Sequence, residues 1–255
     1  MNTHKGEKKH KNDMYGNIDS RSEEDPGVLP PIPAATVVLL RDGAQGPEVL
    51  MLKKNSKITF GGMWVFPGGK IDAEDHGDPT LDKALEFAAR KAAAREANEE
   101  AGIVLVPDDL VWFAHWVPPP GPHKRFATWF FAALATEDEQ NITIDDGEIK
   151  AHQWISPSAA LKRHSAGEID LVPPTWITLY HLSLREPSAN VLNHFKTLEP
   201  KIYSTRVAKT EDGKRVAMWS GDAGYEDWDA DISGARHRLV MGKDGFVFDN
   251  TVESY

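Results

Sequence analysis

The chain has 255 residues, a formal net charge of −10 and no cysteine. The missing cysteines exclude disulfides and thiol catalysis and favour a reducing cytoplasm as the compartment. A diffuse nucleic-acid binder is normally basic, so this acidic composition disfavours that class. The sequence has no apolar run long enough to span a membrane and no signal-peptide core, so no membrane location is expected.

The first part of the chain predicts a polar tail and then a β-hairpin. Residues 1–33 are polar and charged and end in a proline-rich run, which is typical of a disordered tail. Residues 35–40 and 48–53 are two apolar runs separated by a turn, so we expect them to pair as antiparallel strands. Residues 64–66 form a short strand in the same prediction.

Basic residues and glycines flank this short strand. Lys54, in a lysine cluster after the second strand, is a candidate phosphate contact, although a solvated loop is the alternative. Gly68 and Gly69 allow the backbone to turn sharply and to approach a ligand closely. Lys70, which follows them directly, is a second candidate for a phosphate contact.

An alanine-rich segment then predicts one long helix. Pro79 and Thr80 favour its start and Gly102 its end. Near that end, three carboxylates lie on or near one face of the helix, where like charges repel by about 0.2–0.5 kcal/mol per pair. Clustered carboxylates without cysteine are hard oxygen ligands, which suit Mg²⁺ or Mn²⁺. The three are Glu96, Glu99 and Glu100.

After the helix, the pattern predicts strands at 103–106, 110–116 and 125–135. Arg125 is a candidate phosphate or carboxylate contact beside a proline-rich loop, and a charge at a strand end is the alternative. An acidic loop is expected at 137–146. Helices are expected from Ser156, Pro173 and Ser188, and residues 201–255 as a β-rich extension packed on the core. This extension is interpreted as a lid or an oligomer contact, which makes a homodimer a candidate assembly.

The run from Arg95 to Ile103 resembles the second half of the Nudix box, G-x5-E-x7-R-E-U-x-E-E-x-G-U, in which U is aliphatic. Gly69 matches the opening glycine, and Asp75 stands where the first glutamate is expected. Arg95 lies twenty residues after Asp75 instead of the usual eight, and an insertion of twelve residues at about 75–86 explains the difference.

The resemblance implies an α/β Nudix fold, with a mixed sheet sandwiched between helices and the domain at 34–200. It also implies hydrolysis of a small-molecule diphosphate linked to another group. In this reading Glu96, Glu99 and Glu100 hold Mg²⁺ or Mn²⁺, and Arg95 and Glu99 belong to the catalytic set. Glu148 is the match for a further ligand or general base, with its neighbours Asp145 and Asp146 as alternatives.

Three features beyond the box resemble acyl-coenzyme A diphosphatases: the insertion and the segments HWVPPPGPHKRFATWFFAA and AGEIDLVPPTW. Ala127 and Trp129 replace two positions that tend to be charged in that branch. The predicted substrate is therefore coenzyme A or acyl-coenzyme A. The alternatives are pyrophosphatases of ADP-ribose, nucleotide sugars or dinucleotides, and a Nudix domain that binds a nucleotide without cleaving it.

Overall fold

A computed structural model describes residues 12–15, 21–44, 46–57, 59–80, 82–136, 142–145, 147–184 and 187–252. Its contacts divide the chain into two compact units. The larger unit comprises the described residues of 30–118 and 123–203, and the smaller unit those of 1–29, 119–122 and 204–255. Most of the predicted acidic loop lies outside the described residues. The domain boundaries at 33 and 200 stay predictions.

The larger unit is built on an eight-stranded sheet in the order β3-β2-β1-β6-β5-β8, with β4 also paired to β1 and β7 to β2. The sheet is mixed, because β1 is parallel to β6 but antiparallel to β2 and β4. The predicted hairpin of the first two strands is present. The strands are β1 (Ile32–Gly43), β2 (Gly46–Lys54), β3 (Trp64–Val65), β4 (Gly68–Lys70), β5 (Val111–Val117), β6 (Phe126–Leu134), β7 (Ile149–Ile155) and β8 (Lys201–Ser204).

Helices cover both faces of this sheet. On one face, the alanines of the first helix pack against alternate β1 residues such as Val37 and Leu39, and small side chains let helix and sheet approach closely. On the other face, Phe113 stacks on Phe195 of the last helix, with ring centroids 4.4 Å apart. The sequence-based prediction of a mixed sheet between helices is confirmed. The helices are α1 (Ala84–Ala101), α2 (Pro157–Ser165), α3 (Pro173–Ser183) and α4 (Ser188–Thr197).

The long helix α1 begins later than the sequence predicted. Its first residue is Ala84, not Pro79 or Thr80. Asp78 instead accepts hydrogen bonds from the backbone N–H and the hydroxyl of Thr80, at 2.9 and 2.7 Å, which gives this segment a local turn. Lys83 adopts a left-handed conformation with φ of 61°, which further separates the turn from the helix.

The strand predicted at 103–106 is not present. Ile103 is buried, but its N–H bonds to the carbonyl of Ala97 in α1, 3.2 Å away, so it closes the helix end instead of joining a strand ladder. Val104 and Val106 are exposed. The alternating pattern therefore reflects an irregular segment that inserts every second side chain into the core.

The smaller unit contains a four-stranded antiparallel sheet in the order β12-β11-β10-β9. Arg238 pairs there with Asp222, and both side chains are buried. Asn12 donates to the carbonyls of Gly242 and Lys243 at 3.0 and 3.2 Å. No helix among the described residues has the length and apolarity needed to cross a membrane. The strands are β9 (Arg206–Lys209), β10 (Arg215–Met218), β11 (His237–Gly242) and β12 (Gly245–Asn250).

Candidate active site

The three glutamates predicted to bind metal stand at the C-terminal end of α1. The helix ends at Gly102, whose φ of 70° is accessible to glycine at low cost, and whose N–H bonds back into the helix. Burial differs among the three side chains: Glu100 is 4% exposed, Glu96 14% and Glu99 55%. The structure thus gives a buried, a partly buried and a solvated carboxylate within one helical turn.

Two glycines of β4 allow close approaches to neighbouring elements of the site. A Cβ on Gly69 would overlap the carboxylate of Glu96, and a Cβ on Gly68 would lie 2.7 Å from Thr36 Cα in β1. The N–H of Gly68 donates to Oε2 of Glu100 at 3.0 Å. Gly69 therefore makes room for Glu96 of α1, whereas Gly68 packs closely on β1 and reaches Glu100 through its N–H.

Substitution of Gly69 should lower catalytic activity without a comparable loss of stability. In Gly69→Ala the new methyl group meets the far end of a flexible side chain, so the fold should persist while Glu96 moves aside. We expect turnover to fall by about tenfold to a hundredfold, because displacements near 1 Å can cost about that much. Steady-state kinetics and a thermal melt measure both effects. The control is Gly77→Ala, where a Cβ would lie 3.3 Å from a Phe87 ring atom; equal losses in both variants would contradict the interpretation.

Lys54, at the end of β2, points at these carboxylates. Its ammonium forms a short contact with Oε1 of Glu100 and lies 3.5 Å from Oε2 of Glu148. Burial by itself would lower the pKa of Lys54, but the charges and hydrogen bond of its carboxylate partners outweigh burial and raise it. Lys54 is therefore a buried cation that links α1 to the segment before β7.

The position of Glu148 is set by hydrogen bonds to its backbone groups. Asp145 accepts the N–H groups of Glu148 and Ile149, each at 2.9 Å. Asn55, which directly follows Lys54, donates its N–H to the carbonyl of Glu148 at 2.7 Å and its side-chain amide to Gly147 at 2.9 Å. Asp145 thus builds the turn, while the carboxylate of Glu148 is 62% exposed. Asp146 lies outside the described residues.

Arg95 is the second cation of the site. It holds Asp75 with two hydrogen bonds, 3.1 and 2.9 Å long, and it also pairs with Glu96 at 3.0 Å and Glu99 at 3.1 Å. Burial opposes ionisation of Asp75, but the hydrogen bonds from Arg95 and from the Asp72 backbone outweigh it and lower its pKa. This pairing spans the insertion, because Asp75 lies where the inserted segment begins and Arg95 lies three turns into α1.

The structure does not gather every predicted contact around the glutamates. Lys70 is exposed, with its ammonium 3.3 Å from Asp72. Its carbonyl accepts a hydrogen bond from Arg95 at 3.0 Å, so its backbone supports the site. Arg125 is buried just before β6, and its guanidinium donates to the carbonyl of Pro118 at 3.1 Å. Whether either residue contacts phosphate stays a prediction.

The pKa values of two glutamates in the site are raised. Burial is the main cause for both Glu96 and Glu100; the charges of Glu99 and Glu100 add to it at Glu96, and that of Glu148 adds to it at Glu100. In the part of the chain that the structure describes, no three His, Asp or Glu side chains already converge as a set that could hold a metal. The donor chemistry nevertheless fits a hard divalent cation, because the repelling carboxylates are oxygen donors.

Comparison with known proteins identifies the family and the fold. The NUDIX domain family matches residues 30–174, more than half of the chain. The chain belongs to the Nudix family. A Nudix hydrolase from Alicyclobacillus acidocaldarius has a crystal structure with a TM-score of 0.54, at 24% identity over 64% of this chain and 96% of that one. This likeness shows the fold, and the family predicted from the Nudix box is confirmed.

One curated relative of this Nudix protein has a substrate in its description. It is the chicken (Gallus gallus) protein described as acyl-coenzyme A diphosphatase NUDT19, 26% identical over 204 residues. The matched region covers 72% of this chain but 53% of the relative, so the chain spans about half of the relative's length. Nudix hydrolases generally use divalent metal ions, which agrees with the oxygen donors at the end of α1.

Sequence reasoning missed one supporting residue of this Nudix site, Asn55, and one supporting contact, that of the Gly68 N–H. Asn55 and the N–H of Gly68 contact the carboxylate segments directly. Asn55 could have been found from its place after the lysines at a strand end, where a side-chain amide readily bonds to nearby backbone. No local sequence signal indicates that the Gly68 N–H would reach Glu100, because the contact joins residues 32 positions apart.

Proposed function

We propose that this Nudix domain hydrolyses the diphosphate of a small molecule, and that coenzyme A or acyl-coenzyme A is its substrate. The observation that carries the proposal is that a carboxylate of α1, Glu100, and one from the segment before β7, Glu148, meet at the ammonium of Lys54. Glu96, Glu99 and Glu100 are the groups we expect to hold Mg²⁺ or Mn²⁺. A bound divalent cation would neutralise diphosphate charge and lower the pKa of an attacking water.

The reaction breaks one P–O bond of the diphosphate. The oxygen of water bonds to one phosphorus atom, the bridging oxygen leaves with the other phosphate, and the proton released by water needs an acceptor. Glu148 suits the acceptor role because its carboxylate is solvated and close to the buried glutamates. For coenzyme A, the products would be 4′-phosphopantetheine, acylated or not, and adenosine 3′,5′-bisphosphate.

The coenzyme A assignment rests on features outside the common box. The chain carries the insertion before α1, the proline-rich loop that leads into β6, and the segment that leads into α3. Each resembles acyl-coenzyme A diphosphatases, and the chicken relative is described as one. Ala127 and Trp129 depart from that branch, so substrate turnover has to decide the matter.

A substrate panel tests the proposed function. Purified protein is assayed with Mg²⁺ or Mn²⁺ on coenzyme A, an acyl-coenzyme A, ADP-ribose, a nucleotide sugar and a dinucleotide, with product identification by mass. We expect the highest kcat/KM for a coenzyme A species. Faster cleavage of any other compound would reject the coenzyme A assignment while keeping the diphosphatase. Binding without turnover across the whole panel would support the non-catalytic alternative.

A further inference from the structure

We propose that Lys54 is a built-in counter-ion of the predicted metal site, whose ammonium group has to leave Glu100 when a divalent cation binds. In this view Lys54 is a positioning residue that competes with the metal ion, and not a contact for substrate phosphate. The inference rests on the proposed function, because it takes Glu100 as a metal ligand.

The first argument is burial. The side chain of Lys54 is 11% exposed and that of Glu100 is 4% exposed. Charges taken so far out of water are stable only when they are paired, and removing one partner leaves the other without compensation. Lys54 and Glu100 therefore depend on each other when no other cation is present.

The second argument is how the oxygens of Glu100 are used. Oε2 accepts the N–H of Gly68 at 3.0 Å, and Oε1 faces the ammonium of Lys54. A divalent cation at Oε1 would lie next to another positive charge, and like charges in a partly desolvated site repel strongly. Occupation of Oε1 by a metal ion thus requires the ammonium to move.

The third argument is the reach of Lys54 to a second element. Its ammonium is 3.5 Å from Glu148, so the same charge bridges the buried carboxylate of α1 and the solvated carboxylate before β7. A lysine ammonium on a flexible stem can move away without disturbing the backbone. The ammonium of Lys54 can therefore hold both carboxylates together and still move away when a metal ion binds.

Metal titration of a Lys54 variant tests this directly. Mn²⁺ binding is measured by electron paramagnetic resonance on wild type and Lys54→Met, both at pH 8 and without substrate. We expect Mn²⁺ to bind the variant at least about tenfold more tightly, because a competing positive charge has been removed. Lys54→Arg, which keeps the charge, should bind Mn²⁺ much as wild type does.

The matched control is Lys53→Met, since Lys53 is the preceding residue of the same strand and is exposed. It should leave Mn²⁺ affinity unchanged. Circular dichroism establishes that each variant is folded, and Lys54→Arg keeps the test informative if Lys54→Met does not fold. In that case tighter Mn²⁺ binding by Lys54→Arg would overturn the proposal, since the charge is retained.

Three outcomes are decisive. Tighter Mn²⁺ binding by folded Lys54→Met supports the counter-ion role, since mere damage to the site would weaken binding. Unchanged Mn²⁺ affinity with a raised KM would overturn it and make Lys54 a substrate contact, and weaker Mn²⁺ binding would overturn it as well. Absence of Mn²⁺ binding by wild type, in contrast, would count against the metal site of the proposed function itself.

Discussion

Glu100→Gln is expected to reduce turnover by about a hundredfold or more, the scale of losing one well-placed electrostatic contact in an active site. The substitution keeps the shape of the side chain but removes the charge that faces Lys54. The remaining amide oxygen can still accept the N–H of Gly68, so the end of α1 should hold its position. Steady-state kinetics at limiting and saturating Mg²⁺ measure the loss of turnover. The loss should be larger when Mg²⁺ is limiting.

Glu86→Gln is the matched control for this prediction. It makes the same change in the first turn of the same helix, where Glu86 pairs with Arg90 at 2.8 Å. Its turnover should stay close to that of wild type. If Glu100→Gln kept wild-type activity at limiting Mg²⁺, Glu100 would have to be removed from the site.

The sequence predicts the parts of this fold that depend on local pattern. Alternating or continuous apolar runs predict β1, β2, β5 and β6, and the alanine-rich stretch predicts α1. Their pairing also follows, because a short turn joins β1 to β2. The predicted start of α1 was wrong because Asp78 and Thr80 form a turn between themselves. Hydrogen bonds from side chains to nearby backbone compete with helix formation, and their strength is hard to judge from one sequence.

The candidate site was predicted less completely than the fold. The glutamates of α1 are recognisable because they break the rule against like charges on one helix face. The partner of Arg95 was harder to find, since the insertion moves Asp75 twenty residues away along the chain. Lys54 was a predicted site residue, but its contact with Glu100 was not predicted. A register shift between Lys53 and Lys54 in the pairing with β7 accompanies this contact. Such contacts depend on strand register and on how distant elements pack together, and no local sequence pattern encodes either.

The largest stability loss is expected in the smaller unit, at Asp222. Its carboxylate accepts hydrogen bonds from the guanidinium of Arg238 and from the N–H groups of His237 and Gly224, the latter two at 2.9 Å. Asp222→Asn leaves the guanidinium buried without a counter-charge, which should cost about 3–5 kcal/mol. Chemical denaturation followed by tryptophan fluorescence measures the change, because Trp219 is buried in the same unit.

The effect of Asp222→Asn should depend on pH in a defined direction. Burial opposes ionisation of Asp222, but its hydrogen bonds to Arg238 and to the backbone outweigh burial and hold its pKa below the usual value. A lowered pKa in the folded state adds stability that is complete above the unfolded value of about 3.9 and is lost as the pH falls through the folded one. The difference in the free energy of unfolding between wild type and Asp222→Asn should therefore be largest at neutral pH and should decrease in strong acid.

The control for this prediction is Asp212→Asn in the turn between β9 and β10. Asp212 also pairs with a basic residue, Lys214 at 2.7 Å, but both side chains are more than half exposed. Exposed pairs are weak because water and salt screen them, so this variant should unfold close to wild type. Equal destabilisation by the two substitutions would mean that burial is not what makes the Asp222–Arg238 pair important. If Asp222→Asn remained equally destabilised relative to wild type in strong acid, the loss of stability would not be electrostatic in origin.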